Sequence, residues 1–254
     1  MWATKKLAFI SCVVLAVIVA SAQQYNVPFR PRAAAGGGAF CDGTFAFCDD
    51  FSSASDPPTN WTEIIATTWI NNGTVLLSPT SGTNPSLVRT TNMGSSDQYV
   101  IFKFVNNAVG DMGLVMRHDG TSGTSTFADI VYFGGGDLWW GVIRPSGAFI
   151  ADVANCTYAP VAGDYISASV TGTGSGRTVK VWISTTAPTG APTGTATCTF
   201  VGGTSANFVS PATAASCNSS CAGSSNTTDD GLKAGVWLSG INSNKQFDDF
   251  AAGP

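Results

Sequence analysis

Three segments of the chain alternate apolar and polar residues with a period of two. They are Gln98–Val105, Thr178–Ile183 and Leu232–Leu238, and in the first of them Val100 and Phe104 fall on one side. Such alternation is the signature of a half-buried antiparallel strand. Segments rich in Gly, Pro, Asn and Ser separate these runs, and no segment repeats its apolar residues at helical spacing. The pattern predicts an all-β chain folded as an antiparallel β-sandwich.

Composition excludes several classes of protein. The 254 residues include one glutamate (Glu63), one histidine (His118) and 12 Lys plus Arg, with a formal net charge of -4. Helical bundles need many Glu, Lys and Arg residues, so this architecture is excluded. The chain alone cannot supply two catalytic glutamates or a cluster of histidines on a metal. The acidic balance also argues against nucleic acid as a partner, because binding to phosphates needs a basic patch.

The first 22 residues read as a secretory signal peptide. Lys5 and Lys6 precede an apolar run, and Ala20-Ser21-Ala22 forms a cleavage site of small residues. The alternative is a membrane anchor, but a run of about fourteen residues is short for a bilayer of roughly 30 Å. We therefore expect a secreted, extracellular protein without a transmembrane segment after cleavage. Residues 23–38 read as a flexible linker, and residues 39–254 as one β-sandwich domain.

Cysteine usage predicts disulfide bonds. Cleavage of the leader removes Cys12 and leaves an even number of cysteines, namely Cys41, Cys48, Cys156, Cys198, Cys217 and Cys221. In an oxidising compartment these form three disulfides, in one of about fifteen connectivities. The simplest connectivity joins Cys41 to Cys48 and Cys217 to Cys221, which leaves Cys156 with Cys198. A zinc site is the alternative, but the chain has no C-x-x-C pair and its single histidine is remote from the cysteines.

Two further features concern the surface. Two segments, 185–197 and 201–230, read as long loops, the second of them restrained by its cysteines. Five N-x-[ST] sequons occur, at Asn60, Asn72, Asn155, Asn218 and Asn226. If the host is a eukaryote, these sequons predict a glycoprotein.

Near-identical acidic and aromatic motifs stand at the two ends of the predicted domain. The first is Phe47-Cys48-Asp49-Asp50-Phe51, followed by Trp61, and the last is Phe247-Asp248-Asp249-Phe250. Between them stand segments 69–76, 113–117 (GLVMR) and 231–235 (GLKAG). With these motifs the chain resembles the concanavalin A-like lectin/glucanase superfamily, in its laminin-G-like jelly-roll branch, over about residues 40–254. The resemblance implies a jelly-roll sandwich whose first and last strands are neighbours.

Neighbouring end strands would bring four carboxylates together, those of Asp49, Asp50, Asp248 and Asp249. Carboxylates that converge repel one another unless something neutralises them. Calcium binds carboxylate, carbonyl and water oxygens in flexible geometry, and the resemblance implies a structural calcium near these ends. The sequence therefore predicts a calcium site built from the two Asp pairs. The alternative is that each pair faces solvent or protects a strand edge.

A catalytic site is not evident in the sequence. Glucanases of the superfamily that the chain resembles use two glutamates on one strand, whereas Glu63 is the single glutamate of this chain. Asp129 falls within a predicted strand without a second acid nearby. His118 falls at a predicted turn, where a solvated side chain is expected. We assign no catalytic residue and expect a protein that is not an enzyme.

The tryptophans are better candidates for functional residues than the acids and the histidine, as residues that bind a ligand. Trp182 and Trp237 fall on the polar side of their strands, as does one of the adjacent Trp139 and Trp140. An exposed indole presents a flat apolar surface against which the C–H face of a sugar can pack. Neighbouring polar groups, Asp129 and Arg117 first among them and Arg144 and Asn155 in addition, would hydrogen-bond sugar hydroxyls. The alternative is that loops cover these faces and make the tryptophans part of the core.

Together these features predict a secreted, non-catalytic domain that binds carbohydrate or glycoprotein and holds a structural calcium. One alternative is a glycan hydrolase or lyase that uses Asp129 or His118 in a non-standard site. Another is a structural surface or matrix protein that associates with copies of itself.

Overall fold

The computed structural model describes twelve stretches of the chain. They are residues 40–55, 58–65, 69–79, 84–106, 111–122, 128–134, 136–143, 149–158, 160–172, 177–201, 231–240 and 245–254. These residues form strands and turns, without a helix. No helix among them is long and apolar enough to cross a membrane. The predicted signal peptide, the linker, Arg144 and most of the second long loop lie outside the described residues.

Fifteen strands are formed by the described residues. In chain order they are β1 (Phe47–Asp49), β2 (Trp61–Glu63), β3 (Ile70–Asn71), β4 (Leu76–Leu77), β5 (Ser86–Arg89), β6 (Gln98–Asn106), β7 (Met112–His118), β8 (Ala128–Gly134), β9 (Asp137–Ile143), β10 (Phe149–Cys156), β11 (Tyr165–Thr171), β12 (Thr178–Ser184), β13 (Cys198–Val201), β14 (Lys233–Leu238) and β15 (Gln246–Gly253).

The strands form two antiparallel sheets. The first sheet has the order β13-β12-β11-β6-β15-β4-β3, and β1 also pairs with β15. The second sheet has the order β10-β9-β8-β7-β14-β5-β2. Consecutive strands pair within β7–β10 and β11–β13, whereas the last strand, β15, lies between β6 and β4 of the first sheet. This arrangement confirms the predicted antiparallel β-sandwich.

The inner faces of the two sheets share one hydrophobic core. Val100, Phe102 and Phe104 of β6 point into it, as do Val179 and Val181 of β12. In β14 the inward residues are Ala234, Val236 and Leu238. These are the apolar positions of the three alternating segments, so the period-two pattern identified the buried side of each strand correctly.

A second layer covers the outer face of the first sheet. Phe40 packs there with Tyr99, Ile101, Tyr165 and Ala251. The segment that carries Phe40 is held by the disulfide Cys41–Cys48 and by a hydrogen bond from the Thr44 amide to the Thr189 carbonyl, 2.8 Å long. Thr189 belongs to the first of the two predicted loops, so this loop is part of the cover.

A disulfide also joins the two sheets. Cys156, at the end of β10, is bonded to Cys198, at the start of β13, and these strands are the edges of the second and the first sheet. The structure thus confirms two of the three predicted disulfides. The third, Cys217–Cys221, lies outside the described residues.

Candidate functional site

The two ends of the domain meet as the sequence motifs implied. Strand β1 pairs with β15 in a register that sets Asp49 opposite Phe250 and Phe47 opposite Ala252. The rings of Phe47, Trp61 and Phe250 contact one another, with 4.8 Å between the centroids of Trp61 and Phe250. The aromatic residues of the two motifs therefore form one cluster that fixes the terminal strands.

A lysine neutralises the acidic pair in β15. Lys103 of β6 lies opposite Asp248, and its Nζ is 3.0 Å from Asp248 Oδ2 and 3.5 Å from Asp249 Oδ2. The Tyr165 hydroxyl donates a 2.6 Å hydrogen bond to Asp249 Oδ2. Burial, together with the charge of Asp249, raises the pKa of Asp248, and burial raises the pKa of Tyr165.

The acidic pair at the end of β1, Asp49 and Asp50, makes separate contacts. Asp49 accepts hydrogen bonds from the Trp61 indole, at 2.7 Å, and from the Phe51 amide, at 2.9 Å. Asp50 accepts one from the Ser52 amide. Arg89 is buried against the Phe47 ring, 3.2 Å from its centroid. Burial lowers the pKa of Arg89 to about 10, although the charge of Asp49 opposes this shift.

These contacts do not fit a calcium site. Calcium needs six to eight oxygens directed at one point. Here the carboxylates of Asp248 and Asp249 face an ammonium and a hydroxyl donor, while both oxygens of Asp49 accept N–H bonds. Among the described residues, no three His, Cys, Asp or Glu side chains are grouped so that they could hold a metal ion. Protein cations thus supply the countercharge that the sequence analysis assigned to calcium.

Asp129, predicted to bind sugar, faces the interior of the sandwich. It is 1% exposed, and its Oδ1 lies 2.7 Å from Arg177 Nη1 and 2.9 Å from Trp140 Nε1. Trp140 belongs to the central core. Because Arg177 leads into β12 of the first sheet, the ion pair bridges the two sheets. Asp129 and Trp140 are therefore not placed to meet a ligand.

Arg117, also predicted to bind sugar, ties loops together. Its Nε donates to the Ser96 carbonyl and its Nη2 to the Gly172 carbonyl, both at 2.6 Å, and Nη2 also contacts Asp97 Oδ1 at 3.2 Å. The backbone at Arg117 is left-handed, with φ 57°, where the register of β7 on β14 shifts. Arg117 is 1% exposed, and burial lowers the pKa of its guanidinium.

His118 differs from expectation. The sequence predicted a solvated side chain at a turn, whereas the imidazole is fully buried. Its Nδ1 accepts a 2.8 Å hydrogen bond from the Gly120 amide. The ring therefore helps to shape the turn after β7, and a local hydrogen bond of this kind is a structural role.

The outer face of the second sheet carries the remaining aromatic residues. One residue from each of six strands lies in register across this face, which we call the aromatic row: Ser86, Trp237, Gly113, Tyr132, Trp139 and Asn155. Tyr132 and Trp237 belong to a hydrophobic cluster separate from the central core. Since side chains alternate between the faces of a strand, the outward position predicted for Trp237 is correct.

Ring contacts hold the aromatic row in place. Tyr132 stacks on Trp139 with 6.4 Å between centroids and 14° between planes, and it meets Trp237 edge-on at 5.7 Å. The Trp139 indole donates a hydrogen bond to the Gly134 carbonyl at 3.3 Å. Trp237 is 1% exposed, whereas Trp139 is partly exposed. Only the end of the row nearest β10 therefore offers an indole face to a ligand.

Acidic side chains border this exposed end. Asp152 of β10 accepts a hydrogen bond from the Tyr132 hydroxyl, and Asp137 of β9 accepts one from Asn155 Nδ2 at 3.2 Å. Asp111, just before β7, lies against Gly134, where an added Cβ would overlap its Oδ1. Burial raises the pKa of Asp111, and the nearby charge of Asp152 adds to this effect.

Trp182 lies on the other sheet. It projects from the outer face of β12, opposite Ser167, and its indole donates a 3.3 Å hydrogen bond to the carbonyl of Gly194 in the 185–197 loop. Its side chain is partly exposed. The structure thus separates Trp182 from Trp139, and the predicted carbohydrate residues do not form one site.

The sequence did not reveal Tyr132 of the aromatic row or the acidic residues Asp111 and Asp152 that lie near it. Tyr132 and Asp152 are twenty residues apart, and β9 lies between their strands. The face on which Tyr132 lies could have been predicted, because Tyr132 alternates with the apolar residues Val131 and Phe133 on β8. No local pattern indicates that Asp111 and Asp152 approach the same tyrosine, because this depends on the order of four strands.

Comparisons with known proteins give matches only among solved structures. No family model and no curated protein matches the chain. The VIP36 exoplasmic/lumenal domain, in its Ca2+/Man2-bound form, is 9% identical, with 80% of this chain and 84% of that chain covered and a TM-score of 0.43. Lectin II from Ulex europaeus is 12% identical, with 83% and 100% covered and a TM-score of 0.39.

A glycoside hydrolase family protein from Mycobacterium thermorestibile is also similar. It is 12% identical, with 81% of this chain and 99% of that chain covered and a TM-score of 0.44. The two antiparallel sheets and the paired terminal strands that the sequence resemblance implied are present in this structure.

Proposed function

We propose that the chain is a secreted, non-catalytic protein that binds carbohydrate at the exposed end of the aromatic row. The observation that carries this proposal is the position of Trp139. Its indole is partly exposed, fixed from behind by Tyr132, and bordered by the polar side chains of Asp137, Asp152 and Asn155.

This arrangement has the two components that a sugar needs. The C–H face of a pyranose packs on a flat aromatic ring, and its hydroxyl groups bond to carboxylates and amides at the rim. Trp139 is held by a ring stack and by its bond to the Gly134 carbonyl, so little side-chain entropy remains to be lost on binding. Carboxylate acceptors favour a neutral glycan over an acidic one, since an acidic glycan would be repelled.

Glycan-array binding by the secreted chain tests the proposal. Replacing Trp139 with alanine removes the stacking surface, and we expect binding to weaken by about tenfold or more. Trp182→Ala is the matched control, because Trp182 is also partly exposed but lies on the other sheet. Equal binding by the wild type and Trp139→Ala would refute this site, and absence of glycan binding by a chain produced without N-linked glycans would refute the function.

The predicted calcium is not part of this proposal, since Lys103 neutralises the acidic pair in β15. Carbohydrate binding should therefore persist after treatment with a chelator. Binding that is lost with the chelator and restored by added calcium would reinstate a metal site.

Glycoside hydrolysis is a second candidate function, favoured by one observation. Asp111 and Asp152 both lie close enough to Tyr132 for their charges to act on its hydroxyl, and the pKa of Asp111 is raised. Two carboxyl groups that flank the scissile bond, one as acid and one as base or nucleophile, are the catalytic groups of most glycosidases. Release of reducing sugars from polysaccharides by the wild type, but not by Asp111→Asn or Asp152→Asn, would establish this activity. Binding without any release supports the first proposal.

A further inference from the structure

One of the five sequons lies beside the proposed binding surface. Asn155, Cys156 and Thr157 form an N-x-T sequence at the end of β10, which is an edge strand of the second sheet. Asn155 is exposed and lies directly opposite Trp139. Side chains of opposed residues in an antiparallel pair share one face, with about 5 Å between their Cβ atoms. Whatever Asn155 carries therefore lies next to the indole.

The amide of Asn155 is suitably arranged for modification. An asparagine amide has two N–H groups, and one of them donates to Asp137 Oδ2 at 3.2 Å. Replacement of the second N–H by a sugar would leave this hydrogen bond intact. The remaining hydrogen bond would hold the modified side chain on the face that also presents Asp137 and Trp139.

The other described sequons lack an aromatic neighbour of this kind. Asn72 is exposed in a turn, where its Oδ1 accepts hydrogen bonds from the amides of Thr74 and Val75. Asn60 is exposed with φ 65° in the turn that leads into β2. A glycan on either asparagine would extend from a turn and not from a strand of the aromatic row. Asn218 and Asn226 lie outside the described residues.

We propose that Asn155 is N-glycosylated and that its first sugar packs on Trp139, so that this glycan competes with external ligands for the same surface. The regulatory part of this inference rests on the proposed carbohydrate-binding function. In the transfer, Asn155 Nδ2 bonds to the anomeric carbon of a lipid diphosphate-linked oligosaccharide. The bond from that carbon to the phosphate oxygen breaks, the lipid diphosphate leaves with the electron pair, and the amide proton passes to a base.

A glycan at this position would also protect the sheet. Edge strands expose unpaired backbone groups that can pair with another chain, and bulky surface modification prevents such pairing. Strand β10 already departs from regular pairing, with register shifts between Phe149 and Ala151 and between Asp152 and Ala154. The inferred glycan therefore occupies an edge that is already poorly suited to accept another strand.

The test uses the full chain secreted from a eukaryotic host, as wild type and as Thr157→Ala. This substitution destroys the sequon but leaves Asn155 in place. Peptide mass spectrometry measures occupancy of Asn155, and N-bromosuccinimide oxidation followed by the same analysis measures the accessibility of each tryptophan. We expect Trp139 to be oxidised severalfold more slowly in the wild type than in Thr157→Ala, while Trp182 reacts equally in both proteins.

Each outcome has a defined meaning. An unmodified Asn155 in the secreted wild type overturns the inference, and so does a glycosylated wild type whose Trp139 reacts as fast as in Thr157→Ala. Stronger glycan-array binding by Thr157→Ala than by the wild type supports competition at one surface. If neither protein binds glycans while Trp139 is still protected in the wild type, the proposed function fails but the packing of the glycan on Trp139 stands.

Discussion

Replacement of Arg177 by methionine removes the cation from the ion pair that joins the two sheets. Arg177 and Asp129 are each 1% exposed at the side chain, and 2.7 Å separates their charged atoms. Methionine has a similar length and keeps most of the apolar contacts of the arginine stem. The Asp129 carboxylate would remain buried, with the Trp140 indole, 2.9 Å away, as a hydrogen-bond donor.

The expected loss of stability is large. Breaking a buried pair by removing one partner costs about 3–5 kcal/mol, because the other charge stays in the interior without compensation. For a domain of this size each kcal/mol lowers the melting temperature by roughly 2–4 °C, so a decrease of about 10 °C is expected. Guanidinium denaturation followed by tryptophan fluorescence gives the free energy of unfolding directly.

A double variant separates the ion pair from packing. Arg177→Met combined with Asp129→Leu replaces both charges with apolar groups of similar size, an exchange that is often close to neutral. We expect the double variant to recover most of the stability that the single variant loses. A single variant that loses less than about 1 kcal/mol, or a double variant as unstable as the single one, would refute the interior placement of this carboxylate.

Three further predictions concern the disulfide between the sheets, the acidic residues and the calcium predicted from the sequence. Removing the disulfide with Cys156→Ser and Cys198→Ser opens a loop of 42 residues and should cost up to about 4 kcal/mol in guanidinium denaturation. The raised pKa of Asp111 means that the folded state still binds this proton at pH values above the ordinary pKa of 3.8, where the unfolded state has released it. The free energy of unfolding should therefore fall as pH rises from 3.8 through the pKa of the folded state. Denaturation measured across this pH range should show a smaller fall for Asp111→Asn than for the wild type. A chelator should leave the melting temperature unchanged, whereas Lys103→Met should lower it, because two carboxylates lose their cation.

Much of the fold follows from local alternation. The buried sides of β6, β12 and β14 were read from period-two patterns, and the pairing of β1 with β15 was implied by matched motifs. The period-two patterns succeed because burial on one face of a strand appears as alternation in consecutive residues, whereas the pairing of the end strands was implied by the family resemblance. The inward position of Asp129 could also have been read, since it shares its phase on β8 with the buried residues Val131 and Phe133.

The partners of the charged side chains could not be predicted from period-two patterns. Lys103 and Asp248 are 145 residues apart, and they meet because β6 and β15 are neighbours in one particular register. Repulsion among the acids correctly indicated that a cation was required, but a lysine on an adjacent strand satisfies that requirement as well as a metal does. Which cation neutralises the acids depends on which strands pair and in which register, and local sequence patterns do not indicate this.

Trp182 and Trp139 lie on the two outer faces of the sandwich, and their surroundings differ in how easily a sugar could stack on the indole. On the first sheet, the Trp182 indole bonds to Gly194 of the 185–197 loop, and that loop is tied through Thr189 to the segment after Phe40. A ligand that reached the Trp182 indole would have to compete with the chain's own backbone. Trp139 instead bonds to the carbonyl of Gly134, within its own hairpin, and Asn155 lies opposite it on the edge strand of the sheet. In the described part of the chain, no separate loop bonds to the Trp139 indole as the 185–197 loop does to that of Trp182, which is why we place the proposed carbohydrate binding on the second sheet.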